Sequence, residues 1–393
     1  MPKGAEVVVV GGGIIGVSVA YYLAQRGVDV ALLDQGDIAS GTSSHCMAGL
    51  QLCTKTIGPK LELALEGIKL HHQLEEELGE DLEFKECGGW IVAQNEAEAD
   101  FVASRVADYV RVGVDMEFVD APECQARQPV LADHVTASLY SPRDCQVNPL
   151  YLAMAFMRRA EALGARILPF HRVTGIEVRD HSICSVATDE GEIPTHSVLN
   201  AAGPWAPAIA QMAGLDLPIV PRRGQILVTE PAPPLWNALI LSADYLLSKK
   251  MPSSGGGVPG QMLSGVVTNQ VKRGNCLIGS TRCFAGYDIR NTYEGIQALA
   301  RNSARLIPAI AKLHIIRSYA GLRPATPDGL PIIDRSKVLP GFITAAGHEG
   351  DAICLGPITG LRVAELITGE IEDQVLAPFS AARFDQPEEG DGS

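Results

Sequence analysis

Three features are missing from this sequence, and each absence removes a class of function. No apolar run approaches the roughly 20 residues that a membrane-spanning helix needs. The short run at Val7–Val10 passes straight into glycines, so it reads as a first strand and not as a secretory leader. The second absence is a C-x-x-C pair. The nine cysteines (Cys46, Cys53, Cys87, Cys124, Cys145, Cys184, Cys276, Cys283 and Cys354) are odd in number and do not cluster. They read as reduced thiols of a cytoplasmic protein, with no metal or iron–sulfur site on this chain. The third is positive charge: 32 Lys and Arg stand against 46 Asp and Glu, a net −14. Nucleic acid and anionic membrane surfaces need basic patches, so neither is an expected partner.

What is present is length enough for two domains and 40 glycines, several at meaningful positions. Val7–Val10 is a β-branched run of the kind a buried parallel strand requires, followed by glycines. Residues 14–26 then show helical spacing, Gly27 fits a helix end, and 28–33 form a second apolar strand closing on Asp34. This β-α-β unit carries G-x-G-x-x-G at Gly11, Gly13 and Gly16, with Asp34 eighteen residues beyond Gly16. In that context the glycines admit a pyrophosphate to the backbone at a helix N-terminus, and Asp34 accepts hydrogen bonds from ribose hydroxyls.

Further along, helices are expected over 61–78, 97–112, 150–163 and 292–306, and a last one over about 357–369. Strands are expected at CGGWIVAQ, GQILVTE, DYLLS, QMLSGVV and NCLIGSTR, with a β-rich stretch over 165–196. KKMPSSGGGVPG (249–260) reads as a mobile hairpin loop, and 384–393 as a flexible acidic tail. The expected fold is α/β. A discontinuous Rossmann-like FAD-binding domain (1–85, 145–218 and 320–383) joins an α+β substrate domain with a mostly antiparallel sheet (86–144 and 219–319). The order of elements favours FAD over NAD. No further β-α-β units follow. Instead GTSSHCMAGL leaves the fold, and a late strand, turn and helix at 339–360 would cover a flavin and stabilise its reduced, negative form.

The motifs GGGIIGVSVAYYLAQRG, DIASGTSS, CGGWIVA, VNPLYLAMAF, NAAGPWA, PRRGQILVTE, AGLRPATPDGLPIID and AAGHEGDAICLGPITG run in family order over nearly the whole chain. On them the chain resembles the D-amino-acid oxidase family of FAD-dependent amine and amino-acid oxidoreductases. That family includes glycine oxidase, sarcosine oxidases, β subunits of dye-linked proline dehydrogenases and a hydrogen cyanide synthase subunit. The resemblance implies that Arg323, in G-L-R-P, grips a substrate carboxylate with its paired N–H donors. The alternative is a structural ion pair with Asp328 or Asp334. Tyr245 stands where the family has an assisting tyrosine on a substrate-domain strand, or is a packed strand aromatic. His348 is placed near the flavin, to tune it or assist amine deprotonation, or is merely bonded to backbone. Glu349 and Asp351 either bind an ammonium or face solvent.

The implied FAD contacts are Gly11, Gly13, Ile14, Ile15, Gly16, Asp34, Gln35, Gly41, Thr42, Ser43, Ser44, Gly49 and Leu50 from the first segment, then Val173, Ala201, Ala202, Gly203 and Trp205. Arg323, Gly347, His348, Gly350, Asp351, Ala352 and Ile353 complete the set, and Trp205 has no catalytic part. Gly321 replaces the cysteine that tethers FAD in monomeric sarcosine oxidases, so FAD is expected to be non-covalent. No histidine stands in RDCQVNP for covalent FMN. No lysine stands in NCLIGSTR for oxygen activation, which favours a dehydrogenase over an oxidase. The implied reaction moves hydride from the carbon bearing the amine to flavin N5 and leaves an imine. The implied partners are a small amino acid or amine and subunits carrying flavin or iron–sulfur centres. Three rivals stand beside it: a peroxide-producing oxidase, an NAD-dependent dehydrogenase and a non-catalytic FAD-binding subunit.

Overall fold

The structure, a computed structural model, describes residues 4–247 and 261–385. The 249–260 loop and the end of the acidic tail lie outside the described residues. The described chain divides into two compact units. One draws on Met1–Ser43, Ala153–Val220 and Pro324–Ser393, the other on Ser44–Leu152 and Pro221–Arg323.

The first unit is built on a six-stranded sheet. Val7–Val10 lies at its middle, between Val30–Leu33 and Val198–Asn200, all in parallel. Arg166–Leu168 and Phe342–Ala346 extend it on the two sides, and Ile332–Arg335 adds one antiparallel edge. Both faces of the central strand are buried, which is why its residues are apolar without alternation. Val8, Val10, Ala31, Leu33, Ile183, Val198 and Phe342 share one core cluster with a three-stranded antiparallel sheet over residues 173–194. The helix Ile14–Gln25 covers the sheet and packs against Ala352–Thr368, where Gly356 and Gly360 leave room for Ile14 and Ser18.

The second unit holds an eight-stranded sheet. Ile315–Ala325 lies at one edge beside Val220–Pro231, and the pairs from there to the other edge are antiparallel, except that Leu239–Ser242 runs parallel to Gly89–Ala93. Trp90, Val92, Leu227, Trp236, Ile240, Ile278 and Leu299 form its core with the helix Tyr293–Leu306.

Several expectations change in detail. Residues 44–85, 145–152 and 320–323 cluster with the second unit instead of the first, and 219–220 with the first instead of the second. Gly49–Leu50 and Lys85–Glu86 both pair with Cys145–Gln146. The fully buried Asp144 carboxylate also accepts the Leu52 N–H at 2.8 Å and the Ser141 hydroxyl at 2.6 Å. The helix expected over 61–78 is two, Pro59–His71 and Leu74–Leu78, and no glycine or proline at the break announces it. DYLLS is not a strand: the strand ends at Ser242 and Ala243–Leu247 is a single helical turn. The Ser242 hydroxyl donates to Asp244 and so favours a turn over continued strand. The last helix begins at Ala352, five residues before Pro357, which stands inside it and has no N–H for the Ile353 carbonyl. Phe384, placed in the tail from sequence, belongs to the 3₁₀ turn Ala381–Phe384 and packs on a small core cluster. All nine cysteines are free of disulfides. No helix among the described residues is long and apolar enough to cross a membrane.

Candidate active site

In the first unit the glycine turn is a stretch of bare backbone. Gly11 has φ +111°, and a Cβ there would meet the Ala201 carbonyl oxygen at 2.5 Å. A Cβ on Gly16 would stand 1.9 Å from the Gly11 oxygen, so the turn can close only without side chains. Asp34 fixes the turn from the next strand: Oδ2 accepts the Gly12 N–H at 2.7 Å and Oδ1 the Gly36 N–H at 2.8 Å. The Ser43 hydroxyl, in the turn Thr42–Ser44, accepts the Ile14 N–H at 3.0 Å at the helix start. The Ala201 N–H donates to the Val10 carbonyl at 2.9 Å, which sets Ala201, Ala202 and Gly203 beside the turn. Trp205 stands against Gly41, its ring 3.6 Å from where a Cβ would be. Ile15 and Val173 are buried, and Gln35 is exposed. The structure groups Gly11, Gly13, Gly16, Asp34, Ser43 and Ala201–Gly203 around one helix start, an arrangement that a diphosphate at a helix N-terminus fits.

The Gly347–Ile353 segment of the same unit makes the turn between the strand Phe342–Ala346 and the last helix. Gly347 has φ +80°. His348 is 1% exposed, and its Nε2 shares a hydrogen bond with the Thr359 hydroxyl at 3.0 Å. Glu349 and Asp351 are 6% and 5% exposed, so the solvent-facing alternative for them does not hold. Gly350 is exposed and donates its N–H to Glu349 at 2.6 Å. Ala352 and Ile353 open the helix.

In the second unit Arg323 is half-buried near the end of the strand Ile315–Ala325. Its guanidinium turns its two terminal nitrogens toward Gly224: a Cβ there would be 2.3 Å from both of them and 2.5 Å from Cζ. Nη1 donates to the Thr281 carbonyl at 3.1 Å and Nη2 to the Ser280 hydroxyl. No carboxylate among the described residues lies within 4.0 Å of it. The aspartates weighed as its partners are engaged elsewhere. Asp328 pairs with Arg383 at 2.6 Å, and Asp334 accepts the Ser380 hydroxyl at 2.9 Å and the Ala381 N–H at 2.8 Å. The guanidinium is therefore held by two neutral acceptors, the Thr281 carbonyl and the Ser280 hydroxyl.

Tyr245 rides on the single turn Ala243–Leu247, and Arg282 donates to its carbonyl at 3.0 Å. Ser44, Gly49 and Leu50, expected with the cofactor residues, also belong to this unit. At Gly321 a Cβ would meet His45 Cβ and its carbonyl oxygen at 2.7 Å, so that position has no room for a side chain. Beside it Cys46 is held as a thiol: burial pushes its pKa up to about 11, against the pull of Arg323. Sequence reasoning missed Gly224, Ser280, Thr281 and Arg282. The strings PRRG and GSTR held the signal, a glycine and small polar residues amid apolar strand, but nothing in the sequence pairs those two strands with Arg323.

Comparison with known proteins places these features in a family. The model of the FAD dependent oxidoreductase family matches residues 6–366. The chain is 29% identical over 432 residues to hydrogen cyanide synthase subunit HcnC of Pseudomonas aeruginosa, covering 99% of this chain and 98% of that one. It is 31% identical over 387 residues to glycine oxidase of Geobacillus kaustophilus, covering 96% and 97%. The crystal structure of L-proline dehydrogenase from P. horikoshii superposes with a TM-score of 0.88 at 28% identity, over 98% of this chain and 99% of that one.

Proposed function

Because the chain belongs to the FAD dependent oxidoreductase family and FAD is its cofactor, we propose that it dehydrogenates an amino acid or secondary amine that carries a carboxylate. The carbon bearing the amine loses hydride and the nitrogen a proton, the C–N bond becomes an imine, and water then splits it into ammonia or an amine and an oxo acid or aldehyde. Bound FAD would supply the hydride acceptor. The observation that carries this reading is Arg323. Its guanidinium rests against Gly224, is steered by Thr281 and Ser280, and has no carboxylate partner among the described residues. Paired N–H donors in that state match a substrate carboxylate and orient the molecule that bears it. Tyr245 adds a hydroxyl to that clamp.

Gly11, Gly13, Gly16, Asp34 and Ser43 would hold the dinucleotide, with Ala201–Gly203 beside them. The closed space at Gly321 supports a non-covalent cofactor. His348, buried and hydrogen-bonded to Thr359, would position the turn. If the amine binds neutral, no strong general base is needed. Similarity to a hydrogen cyanide synthase subunit and to L-proline dehydrogenase supports reading it as a dehydrogenase subunit, which would pass its electrons to partner subunits. Similarity to glycine oxidase supports the second reading, a peroxide-producing oxidase.

Anaerobic mixing of the purified flavoprotein with a panel of amino acids and amines tests the proposal. Bleaching of the flavin by at least one carboxylate-bearing amine is expected, and no bleaching by any of them rejects it. Admitting air then separates the two readings. Slow re-oxidation is expected of the dehydrogenase, whereas re-oxidation within seconds with stoichiometric peroxide makes it an oxidase.

A further inference from the structure

The last three residues of the strand Asn275–Arg282 each hold a piece of the clamp. Ser280 accepts from Arg323 through its hydroxyl and Thr281 through its carbonyl. The Thr281 side chain points the other way and accepts the Gln225 N–H at 3.0 Å. Side chains alternate along a strand, so Arg282 leaves on the same face as Ser280. It is only 3% exposed, and a cation that deep is costly unless it is engaged. It engages Tyr245 twice. Nη1 donates to the Tyr245 carbonyl at 3.0 Å, and the guanidinium carbon stands 4.1 Å from the ring centroid. Stacking and hydrogen bonding together fix both the backbone and the ring plane.

Tyr245 needs that support. An isolated helical turn of five residues has no stability of its own. The turn is tied as well by the Ser242 hydroxyl, which accepts the Val266 N–H at 2.8 Å, by backbone packing against Gly265, and by the buried side chains of Ala243 and Leu246. We infer that Arg282 is a positioning residue that sets where the Tyr245 hydroxyl stands and thereby sets the preference for a carboxylate over a neutral group. This rests on reading Arg323 and Tyr245 as the carboxylate clamp. Arg282 itself does not touch substrate. One strand end thus orders both members of the clamp, Arg323 through Ser280 and Thr281, and Tyr245 through Arg282.

The test uses the full flavin-loaded chain with propanoate and propanamide as probes, their binding followed by tryptophan fluorescence and flavin absorbance. Tyr245→Phe is expected to weaken propanoate about 5- to 10-fold, the scale of one hydrogen bond. Arg282→Gln is expected to weaken it by a similar factor, with Arg282→Lys intermediate, and propanamide should change less than about twofold. The double variant Arg282→Gln/Tyr245→Phe should bind propanoate within about twofold of Tyr245→Phe alone, because Arg282 acts through the hydroxyl already removed. Multiplying effects, or an unchanged affinity in either single variant, overturn the inference. If the glutamine variant does not fold, the lysine variant carries the same cycle. Arg323→Lys separates this inference from the reading beneath it. Unchanged propanoate binding there, or no binding by the wild type, removes the clamp itself. A loss there with none at Arg282 removes only the role of Arg282.

Discussion

A single methyl group added at Gly224 tests the clamp without altering Arg323. The position has an ordinary backbone conformation, so alanine is not strained there. The new Cβ would stand 2.3 Å from both Nη atoms of Arg323, where ordinary contact begins near 3.4 Å. The guanidinium, at the end of a flexible side chain, would retreat by about 1 Å, because the repulsion at such a separation far exceeds any single contact. The bond to the Thr281 carbonyl, already 3.1 Å long, would break, and the fork would turn away from its anion. Charged hydrogen bonding of this kind contributes about 1.5–3 kcal/mol. Apparent affinity for a carboxylate substrate in anaerobic flavin reduction is therefore expected to fall roughly 10- to 100-fold. Flavin content and melting temperature should stay close to wild type, since the side chain yields and the backbone does not. Unchanged affinity would show that Arg323 does not bind the carboxylate. A collapse in melting temperature would show that its role is structural.

Other perturbations reach the rest of the account. Asp34→Ala removes the acceptor of the Gly12 and Gly36 N–H groups. The ratio of flavin to protein after gel filtration should fall sharply, with Asp34→Asn intermediate, and full occupancy in the alanine variant would exclude Asp34 from cofactor binding. Gly360→Ala would drive a Cβ to 2.5 Å from Ser18 Cβ and 2.9 Å from its backbone carbon. Overpacking against backbone costs about 1–3 kcal/mol, and calorimetry should show a melting temperature lower by several degrees. Asp144 gives a pH signature. Burial raises its carboxyl pKa above the ordinary 3.8 despite the bonds from Cys53, Ser141 and Leu52. The folded state then holds that proton more tightly than the unfolded one, so its ionisation costs stability as pH rises. The stability of Asp144→Asn relative to wild type should grow as pH passes above 3.8 and level off above the raised pKa of Asp144. Urea unfolding across that range checks it, and a gap that shrinks with rising pH contradicts it.

The glycine turn and the Asp34 that holds it were legible in sequence because their determinants are local. Gly11, Gly13, Gly16 and Asp34 sit within one β-α-β unit, and short-range spacing alone brings them together. The order of motifs also located Arg323. What sequence did not show is what Arg323 rests on. Gly224, Ser280 and Thr281 reach it through strand pairing across some 40 to 100 residues, and no local pattern encodes that register. Tyr245 shows the same limit at short range. Tyr-Leu-Leu reads as strand by propensity, yet Ser242 and Asp244 turn the chain there. Pro357 marked a helix start by the usual preference for proline in the first turn, while tertiary packing of Gly356 on Ile14 carried the helix further back. Residues 44–85 were assigned with the strands they follow, but their hydrogen bonds run to residues 144–146.

The central claim is that Arg323 recognises a substrate carboxylate, and one comparison tests it most directly. Flavin reduction is measured anaerobically for each reactive amino acid and for the amine lacking its carboxylate, in the wild type and in Arg323→Lys. The account predicts that the wild type prefers the amino acid by tenfold or more, the scale of a charged, paired contact, and that lysine, which keeps the charge but loses the fork, erases most of that preference. An equal preference in the two proteins would contradict it.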